Sequence, residues 1–387
     1  MIKIREIISF KILKIAFLVL QHFFKKTCYI CVDNMYEKHA SCIDTYSLFE
    51  YLRANKKEAY YLIWKENLSY KTKKTEGVIT FNRQGDPDSS SYYFLKKTFW
   101  QLLKCKYVVS SFYGSLPTKY RSFLKNNKYI QLVGVGHGPV FLKTLVFDYP
   151  FCQEQEWDRY LVTNDEEKNI FLANGWPESK LILNGLPRYD CCVNTPHKQK
   201  KIFIFFTWRL TFEKERNSIY TSKYLNKLYK LLNNTELNIY IKKYDIKVVI
   251  GLHHALIDIV RMKVPNFPFE VADSTNLIEE INTSDLFITD YSSIFFDSAY
   301  LDHPCIFYRL DDKDRFLIDI DIQDRDNMKE KDSQLYNVFY EESQVIEKIK
   351  YYITNDFQLE KNNKSKMNKF FIQRKNNIPT FIETLEK

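Results

Sequence analysis

Residues that could bind phosphate follow an apolar run in the last third of the chain. The segment 290–293 (Asp-Tyr-Ser-Ser) comes after the apolar run 286–288, and a helical pattern covers 294–301. A serine hydroxyl can accept an N–H group of the first helical turn, so Ser292 or Ser293 is the predicted N-cap. Free N–H groups and the positive end of the helix dipole make such a turn suited to phosphate. The alternative interpretation is an ordinary capped helix of an α/β protein.

Other residues suited to chemistry also come just after apolar runs. Histidine titrates near neutral pH and can act as a base, and arginine binds anions. In open parallel sheets, ligands bind beyond the carboxyl ends of the strands, so this distribution predicts a ligand site. A structural role stays open for some of them: Thr207 as a helix cap, Arg188 in a buried ion pair and Asp290 as a brace of its own turn. The residues in such positions are His137, Gly138, Arg188, Thr207, Arg209, His253, Asp290, Ser292 and Ser293.

Strand and helix patterns alternate along the chain and position these residues. This alternation is typical of parallel sheets with crossover helices. Strands are predicted at 29–32, 60–64, 77–81, 107–110, 130–135, 159–163, 180–183, 201–206, 247–251, 286–288 and 305–308. Helices are predicted at 44–54, 92–103, 165–174, 218–233, 277–281 and 294–301, with one or two polar helices in 346–387.

The length of the chain predicts two domains. A chain of 387 residues exceeds one ordinary core, and 45% hydrophobic with 27% charged residues is typical of ordered globular proteins. A lysine-rich segment around Pro196 is the predicted linker. We therefore expect an α/β protein with two doubly wound, Rossmann-like domains, at 28–195 and 196–387, that face each other across a cleft. This is the glycosyltransferase-B arrangement.

The segment 1–27 differs from the rest in charge. It carries six basic residues against one acid, Glu6, with apolar residues between them. Its longest uncharged run, 15–24, is shorter than the roughly 20 residues that a membrane span needs, and no cleavage site of a signal peptide follows it. The pattern predicts a basic amphipathic helix on an anionic membrane surface. The alternative is a helix that packs on the core of the protein itself.

The net charge and the cysteines of the chain limit the kinds of partner and cofactor that we expect. The net charge of +9 suggests an anionic partner. Basic residues are dispersed beyond the first segment, which disfavours nucleic acid as that partner. The eight cysteines are scattered without the spacing of a zinc site, so we expect a reduced protein with no metal and no cofactor.

Five motifs in sequence order resemble those of the CDP-glycerol glycerophosphotransferases, the polymerases of teichoic acids and capsules. The resemblance covers roughly residues 28 to 345. The motifs are Gly-His-Gly at 136–138, Gly-Leu-Pro-Arg-Tyr-Asp at 185–190, Thr-Trp-Arg at 207–209, Leu-His at 252–253, and Thr-Asp-Tyr-Ser-Ser at 289–293 with Asp297 and Pro304.

The resemblance implies a transferase that moves glycerol phosphate, or a related polyol phosphate, from a CDP-activated donor to an acceptor hydroxyl, with release of CMP. It implies that His137 is the base, on an N-terminal acceptor-side domain, and that the C-terminal domain binds the donor. It also implies that His253 is the second catalytic residue. The expected partners are the CDP-polyol, a membrane-linked glycan or polyol-phosphate acceptor and the cytoplasmic face of the membrane. The substrate-binding residues implied are Gly138, Arg188, Thr207, Arg209, Asp290, Ser292 and Ser293.

Two other classes stay open at the level of sequence. A nucleotide-sugar glycosyltransferase of the same fold would transfer a hexose in capsule or lipopolysaccharide synthesis. A non-enzymatic protein that binds nucleic acid or membrane would fit the positive charge.

Overall fold

The chain folds into two α/β units, each built on its own parallel sheet. Unit 1 comprises Met1–Pro139, Val146–Cys191 and Ile372–Lys387, and unit 2 comprises Val140–Leu145 and Cys192–Phe371. The structure is a computed structural model. It describes residues 2–33, 43–65, 75–81, 87–111, 116–136, 138–141, 154–207, 223–251, 270–272, 277–310 and 330–387.

The sheet of unit 1 has seven described strands in the order β3-β2-β1-β4-β5-β6-β7, and every neighbouring pair is parallel. All five residues of β1, an interior strand, are buried because crossover helices cover both faces of such a sheet. The strands are β1 Cys28–Val32, β2 Ala59–Trp64, β3 Val78–Phe81, β4 Cys105–Ser110, β5 Gln131–Gly134, β6 Arg159–Val162 and β7 Leu181–Leu183. The first helices are α1 Ile2–Leu20, α2 Ile43–Ala54, α3 Pro87–Lys104, α4 Thr118–Lys125 and α5 Asp165–Ala173.

The sheet of unit 2 repeats this plan with six described strands in the order β10-β9-β8-β11-β12-β13, again all parallel. Counted within each unit, the first six strands have the same order, 3-2-1-4-5-6, which is the order of doubly wound nucleotide-binding folds. The strands are β8 Lys201–Phe205, β9 Lys247–Gly251, β10 Glu270–Val271, β11 Leu286–Thr289, β12 Cys305–Tyr308 and β13 Val338–Phe339. The helices are α6 Lys223–Asn233, α7 Thr235–Lys243, α8 Leu277–Asn282, α9 Phe295–Tyr300, α10 Glu342–Thr354 and α11 Lys361–Asn368.

The predicted fold class, two doubly wound α/β domains, is confirmed by these two sheets. The predicted domain boundaries stay predictions, and two segments at the ends of the chain differ from them in their contacts. Segment 1–27, which was predicted as a separate membrane helix, lies within unit 1. The last helix, α12 Asn377–Glu386, was predicted to be polar and part of the C-terminal domain, whereas its contacts are with unit 1.

Helix α12 is held to unit 1 by the carboxylate of Asp190. This carboxylate accepts hydrogen bonds from the backbone amides of Asn377 (3.0 Å) and Ile378 (2.8 Å) and from Nδ2 of Asn377 (2.8 Å). Four apolar side chains of the helix are buried, so its pattern is amphipathic, and the prediction of a polar helix is wrong for this segment. They are Ile378, Phe381, Ile382 and Leu385.

Helix α1 packs on unit 1 through one face and exposes apolar residues on the opposite face. The ring of Phe17 is fully buried and lies edge-on to Phe99 of α3 and Phe123 of α4, with centroids 6.0 and 5.1 Å apart. On the opposite face, four residues at helical spacing form what we name the α1 stripe. These are Ile8, Ile12, Ile15 and Val19, which are 52, 60, 63 and 59% exposed. Among the described helices, none is long and apolar enough to cross a membrane.

We expect Asp190→Ala to lower the free energy of unfolding by roughly 2–4 kcal/mol, because it removes three hydrogen bonds to a charged acceptor and leaves buried donors unpaired. Urea unfolding followed by circular dichroism measures this loss. Glu383→Ala is the matched control, since Glu383 is an exposed acid on α12 and should change stability by only a few tenths of a kcal/mol. Equal effects of the two substitutions would contradict the proposed attachment.

Candidate functional site

The carboxyl ends of β8 and β11 meet at the point where the strand order of unit 2 reverses. Such a switch point is where doubly wound sheets bind ligands, because the chain leaves neighbouring strands in opposite directions and opens a crevice. Two hydrogen bonds hold these ends together. The Oγ1 of Thr289 donates to the carbonyl of Phe205 (2.7 Å), and the amide of Thr207 donates to Oδ1 of Asp290 (2.8 Å).

Asp290 is fully buried, and its carboxylate binds the backbone. Its Oδ1 accepts the amide of Thr207 and also that of Tyr291, at 2.7 Å. One oxygen therefore fixes the residues that follow both β8 and β11. This geometry supports the bracing role that the sequence analysis left open for Asp290, and its predicted contact with substrate stays a prediction.

The accessible part of the turn begins at Ser292. Asp290 and Tyr291 are buried, as is the whole of α9, whereas Ser292, Ser293 and Ile294 are partly exposed. The two serine hydroxyls thus lie where the buried turn reaches its surface. They are the groups in this turn best placed to bind a ligand oxygen.

The predicted N-cap is wrong. Helix α9 begins at Phe295, its N-cap residue is Ile294, and no side chain caps it. The amides of Phe295 and Phe296 donate to the carbonyls of Ser292 (3.3 Å) and Ser293 (3.1 Å), so the first turn is closed by its own backbone. Ser292 Oγ accepts the amide of Ile294 at 3.4 Å, which is a long contact.

A buried arginine that the sequence analysis missed also contacts this turn. Arg309 directly follows β12, and its Nη1 donates to the backbone carbonyl of Asp290. Its Nε donates to Oδ2 of Asp332 at 3.3 Å, and Nη2 pairs with Oδ1 of the same carboxylate. The signal was available in the sequence, since a polar or charged residue just after an apolar strand is the same pattern that identified Thr207 and Arg188.

In unit 1, the turn that carries the Gly-His-Gly motif begins after β5. Gly136 has φ +65° and Gly138 φ +152°, both in a region that residues with a side chain rarely adopt. The side chain of Tyr160 in β6 lies against Gly134 and Gly136 at this turn. A Cβ on Gly134 would overlap its ring, and one on Gly136 would lie 3.1 Å from its hydroxyl. Glycine is therefore required here for close packing as well as for the turn.

Arg188 forms a buried ion pair in unit 1. It is 6% exposed, its Nη1 pairs with Oδ2 of Asp44 at 2.6 Å, and its amide donates to Oδ1 at 3.0 Å. The pair joins the segment 187–191 to the first turn of α2. This is the structural alternative that the sequence analysis left open, and the predicted contact of Arg188 with substrate stays a prediction.

Three predicted site residues, His137, Arg209 and His253, lie outside the described residues. The strands before all three are described: β5 ends at Gly134, β8 at Phe205 and β9 at Gly251. Within the described ranges, no group of three or more histidine, cysteine, aspartate or glutamate side chains is placed to hold a metal ion.

A family model, CDP-glycerol:poly(glycerophosphate) glycerophosphotransferase, matches residues 15–377. The chain belongs to this family. The match confirms the family predicted from the motifs, which is a family of glycerophosphotransferases and not one of nucleotide-sugar glycosyltransferases.

Curated relatives of the glycerophosphotransferase family include polymerases of teichoic acid. The chain is 26% identical to a teichoic acid poly(glycerol phosphate) polymerase of Bacillus spizizenii over 315 residues, which cover 72% of this chain and 73% of that protein. It is also 26% identical to the minor teichoic acid biosynthesis protein GgaB of Bacillus subtilis over 231 residues, or 55% of this chain and 24% of that protein. The chain thus spans about a quarter of one relative and about three quarters of the other.

A solved structure of the wall teichoic acid polymerase TagF shares the fold. It superposes with a TM-score of 0.62 at 18% identity and covers 93% of this chain and 88% of that one.

We expect Asp290→Ala to destabilise this member of the family by roughly 2–4 kcal/mol, because two backbone amides lose their shared acceptor. Asp290→Asn should cost less, since the amide oxygen can still accept from Thr207 and Tyr291. Urea unfolding of both variants measures the difference. If alanine and asparagine cost the same, the two hydrogen bonds do not hold the turn.

Proposed function

We propose that this chain transfers glycerol phosphate, or a related polyol phosphate, from a CDP-activated donor to a hydroxyl of a teichoic-acid or capsule-type acceptor. The observation that carries this proposal is the braced turn at the switch point of unit 2, with two serine hydroxyls at its surface, in a chain of this family.

The donor pyrophosphate binds, in this proposal, at the carboxyl ends of β8, β9 and β11. Ser292 and Ser293 donate hydrogen bonds to phosphate oxygens, and Arg209 and His253, which follow β8 and β9 in sequence, supply positive charge and further donors. Hydrogen bonds to charged phosphate oxygens are about twice as strong as neutral ones. Asp290 does not touch the donor here, because a carboxylate next to a pyrophosphate would repel it. Asp290 instead holds the turn in place through its hydrogen bonds with the amides of Thr207 and Tyr291.

The transfer step then needs a base on the acceptor. The acceptor hydroxyl oxygen attacks the β-phosphorus, and the bond between this phosphorus and the oxygen that bridges to CMP breaks. CMP leaves with the electron pair of that bond, and His137 takes the proton of the hydroxyl. Histidine suits this role because its neutral form is abundant near pH 7. Donors fixed around the pyrophosphate stabilise the charge that develops on the leaving CMP.

Base and donor site are separable by mutation. His137→Ala should reduce the rate of CMP release by roughly 10²–10⁴-fold, as loss of a general base does, and leave CDP-glycerol affinity unchanged. Arg209→Ala and the Ser292→Ala/Ser293→Ala pair should raise the Kd for CDP-glycerol, since loss of one phosphate contact costs about 1.5–3 kcal/mol. Isothermal titration and a CMP-release assay measure the two effects. CDP-ribitol in the same assay tests the polyol.

Ser284→Ala is the matched control for the serine pair, because Ser284 is a buried serine just before the opposite, amino end of β11. It should bind the donor as the wild type does. An unchanged Kd in the Arg209 and serine variants would place the pyrophosphate elsewhere. If the His137→Ala variant releases CMP at the wild-type rate, His137 is not the base, and a structural role remains for it.

We further propose that the α1 stripe lies on the anionic, cytoplasmic face of the membrane. A stripe of three isoleucines and a valine, each more than half exposed, is a large apolar surface for one face of a helix. The exposed side chains of Lys11, Lys14 and Lys25 on the same segment suit it to acidic headgroups. Since the opposite face of α1 packs on unit 1 through Phe17, the helix can bind lipid while it stays packed on the core of unit 1.

Ile12→Glu/Ile15→Glu should lower partitioning to anionic vesicles on the order of 100-fold, because two isoleucines lose burial worth about 1.5 kcal/mol or more each. Vesicle co-sedimentation, with and without anionic lipid, measures this. Turnover of a water-soluble acceptor analogue should not change.

The matched control is Ile239→Glu, since Ile239 of α7 is 58% exposed, close to the 60% of Ile12, but lies in unit 2. Sedimentation of the α1 variant at the wild-type level would refute the membrane proposal. Deletion of the whole segment is a poorer test because it would uncover the partners of Phe17 in α3 and α4.

A further inference from the structure

Arg309 is a fully buried cation whose contacts converge on one turn. Its guanidinium binds the carboxylate of Asp332 through Nε and Nη2, and the carbonyl of Asp290 through Nη1. Its Cζ lies over the ring of Tyr291, 4.1 Å from the centroid. The carboxylate of Asp332 is itself fixed by the hydroxyl of Tyr340 at 2.9 Å. Three groups thus hold the arginine: the carboxylate of Asp332, the carbonyl of Asp290 and the ring of Tyr291. The last two belong to consecutive residues of the turn.

The charge of Arg309 is compensated inside unit 2. Burial acts to lower the pKa of the guanidinium, but the attraction of Asp332, with smaller contributions from Tyr291 and Asp290, outweighs it and raises this pKa. The side chain is therefore a permanent cation. A buried ion pair adds little net stability over an apolar pair of the same volume, so stability is a weak reason for this arrangement.

The turn is consequently fixed from two sides. The side chain of Asp290 binds the amide that follows β8, and the main chain of the same residue binds the arginine that follows β12. These three strands are neighbours in the sheet, in the order β8-β11-β12. The next residues, Ser292 and Ser293, are the accessible ones. Their position depends on both attachments because one residue, Tyr291, separates them from Asp290, and its ring lies against the guanidinium.

We propose that Arg309, together with Asp332, is a positioning residue that sets the Ser292 and Ser293 hydroxyls for the donor pyrophosphate. This inference rests on the donor role proposed above for the turn. Lysine is a poor substitute, because a single ammonium cannot bind both carboxylate oxygens, reach the carbonyl and stack on the ring at the same time.

The test compares Arg309→Lys and Asp332→Asn with a control ion pair in the same sheet. Lys201 is 6% exposed and pairs with Glu280 at 2.9 Å, at the amino end of β8, away from the turn. Lys201→Met therefore breaks a buried pair without touching the site. Isothermal titration with CDP-glycerol is done at a temperature at which circular dichroism shows every variant folded. Arg309→Lys and Asp332→Asn should raise Kd on the order of tenfold, as misplaced contacts do, while Lys201→Met binds as the wild type.

A double-mutant cycle separates positioning from general destabilisation. In the Ser292→Ala/Ser293→Ala background, Arg309→Lys should have little further effect on Kd, because no hydroxyls remain to be misplaced. Fully additive effects on Kd in this cycle would overturn the proposal. Wild-type affinity for CDP-glycerol in both Arg309→Lys and Asp332→Asn would also overturn it. So would a loss of affinity in Lys201→Met equal to theirs. Should Arg309→Lys not fold, Asp332→Asn and its cycle decide the question. If the serine pair itself keeps wild-type affinity, the proposed donor site fails and this inference fails with it, a result distinct from the failure of Arg309 alone.

Discussion

A single carboxylate oxygen connects the two strands on which the site of unit 2 depends. Asp290 Oδ1 accepts the amides of Thr207 and Tyr291, and so holds together the residues that leave β8 and β11 at the switch point. A parallel sheet brings strand ends to one edge, but it leaves the backbone beyond that edge without partners. Here a buried side chain supplies the missing acceptor. The local cost is an acid buried under a turn whose surface is proposed to bind an anion. The buried cation Arg309 offsets part of this cost, since its charge also attracts that of Asp290.

In both units, charged side chains that are buried or partly buried join segments of the chain. In unit 1, Arg188 and Asp44 join the segment 187–191 to α2, and Asp190 holds the start of α12. In unit 2, Asp332 compensates Arg309. Each of these contacts joins two segments that are not neighbours in sequence. Such contacts select one arrangement of loops around a sheet, whereas the hydrophobic core supplies most of the free energy of folding.

Much of the fold could be predicted from the sequence, because buried parallel strands produce apolar runs and polar residues mark their ends. The family could be predicted as well, since five motifs that resemble those of the family occur in the family's order. The partners of the charged residues could not. Arg188 meets Asp44 across 144 positions, and nothing near either residue indicates the other. The N-cap at Ser292 or Ser293 failed because the first amides of α9 bond to carbonyls three residues earlier, a choice that serine propensity does not reveal. The short helices α4 and α7 were missed, and the amphipathic face of α12 was hidden in a segment rich in lysine and asparagine.

The path of the chain through unit 1 has a consequence for how the protein is made. Unit 1 takes its last helix from residues 377–386, after the whole of unit 2 has been synthesised. On the ribosome, the first 191 residues therefore emerge without the helix whose apolar face they bury, and domain-by-domain folding from the N-terminus cannot be completed for this unit. The nascent chain carries an uncovered apolar surface for as long as unit 2 takes to be translated. Transiently exposed apolar surface of this kind is what chaperones bind in general. It also means that the two units cannot be obtained as separate intact fragments by a single cut.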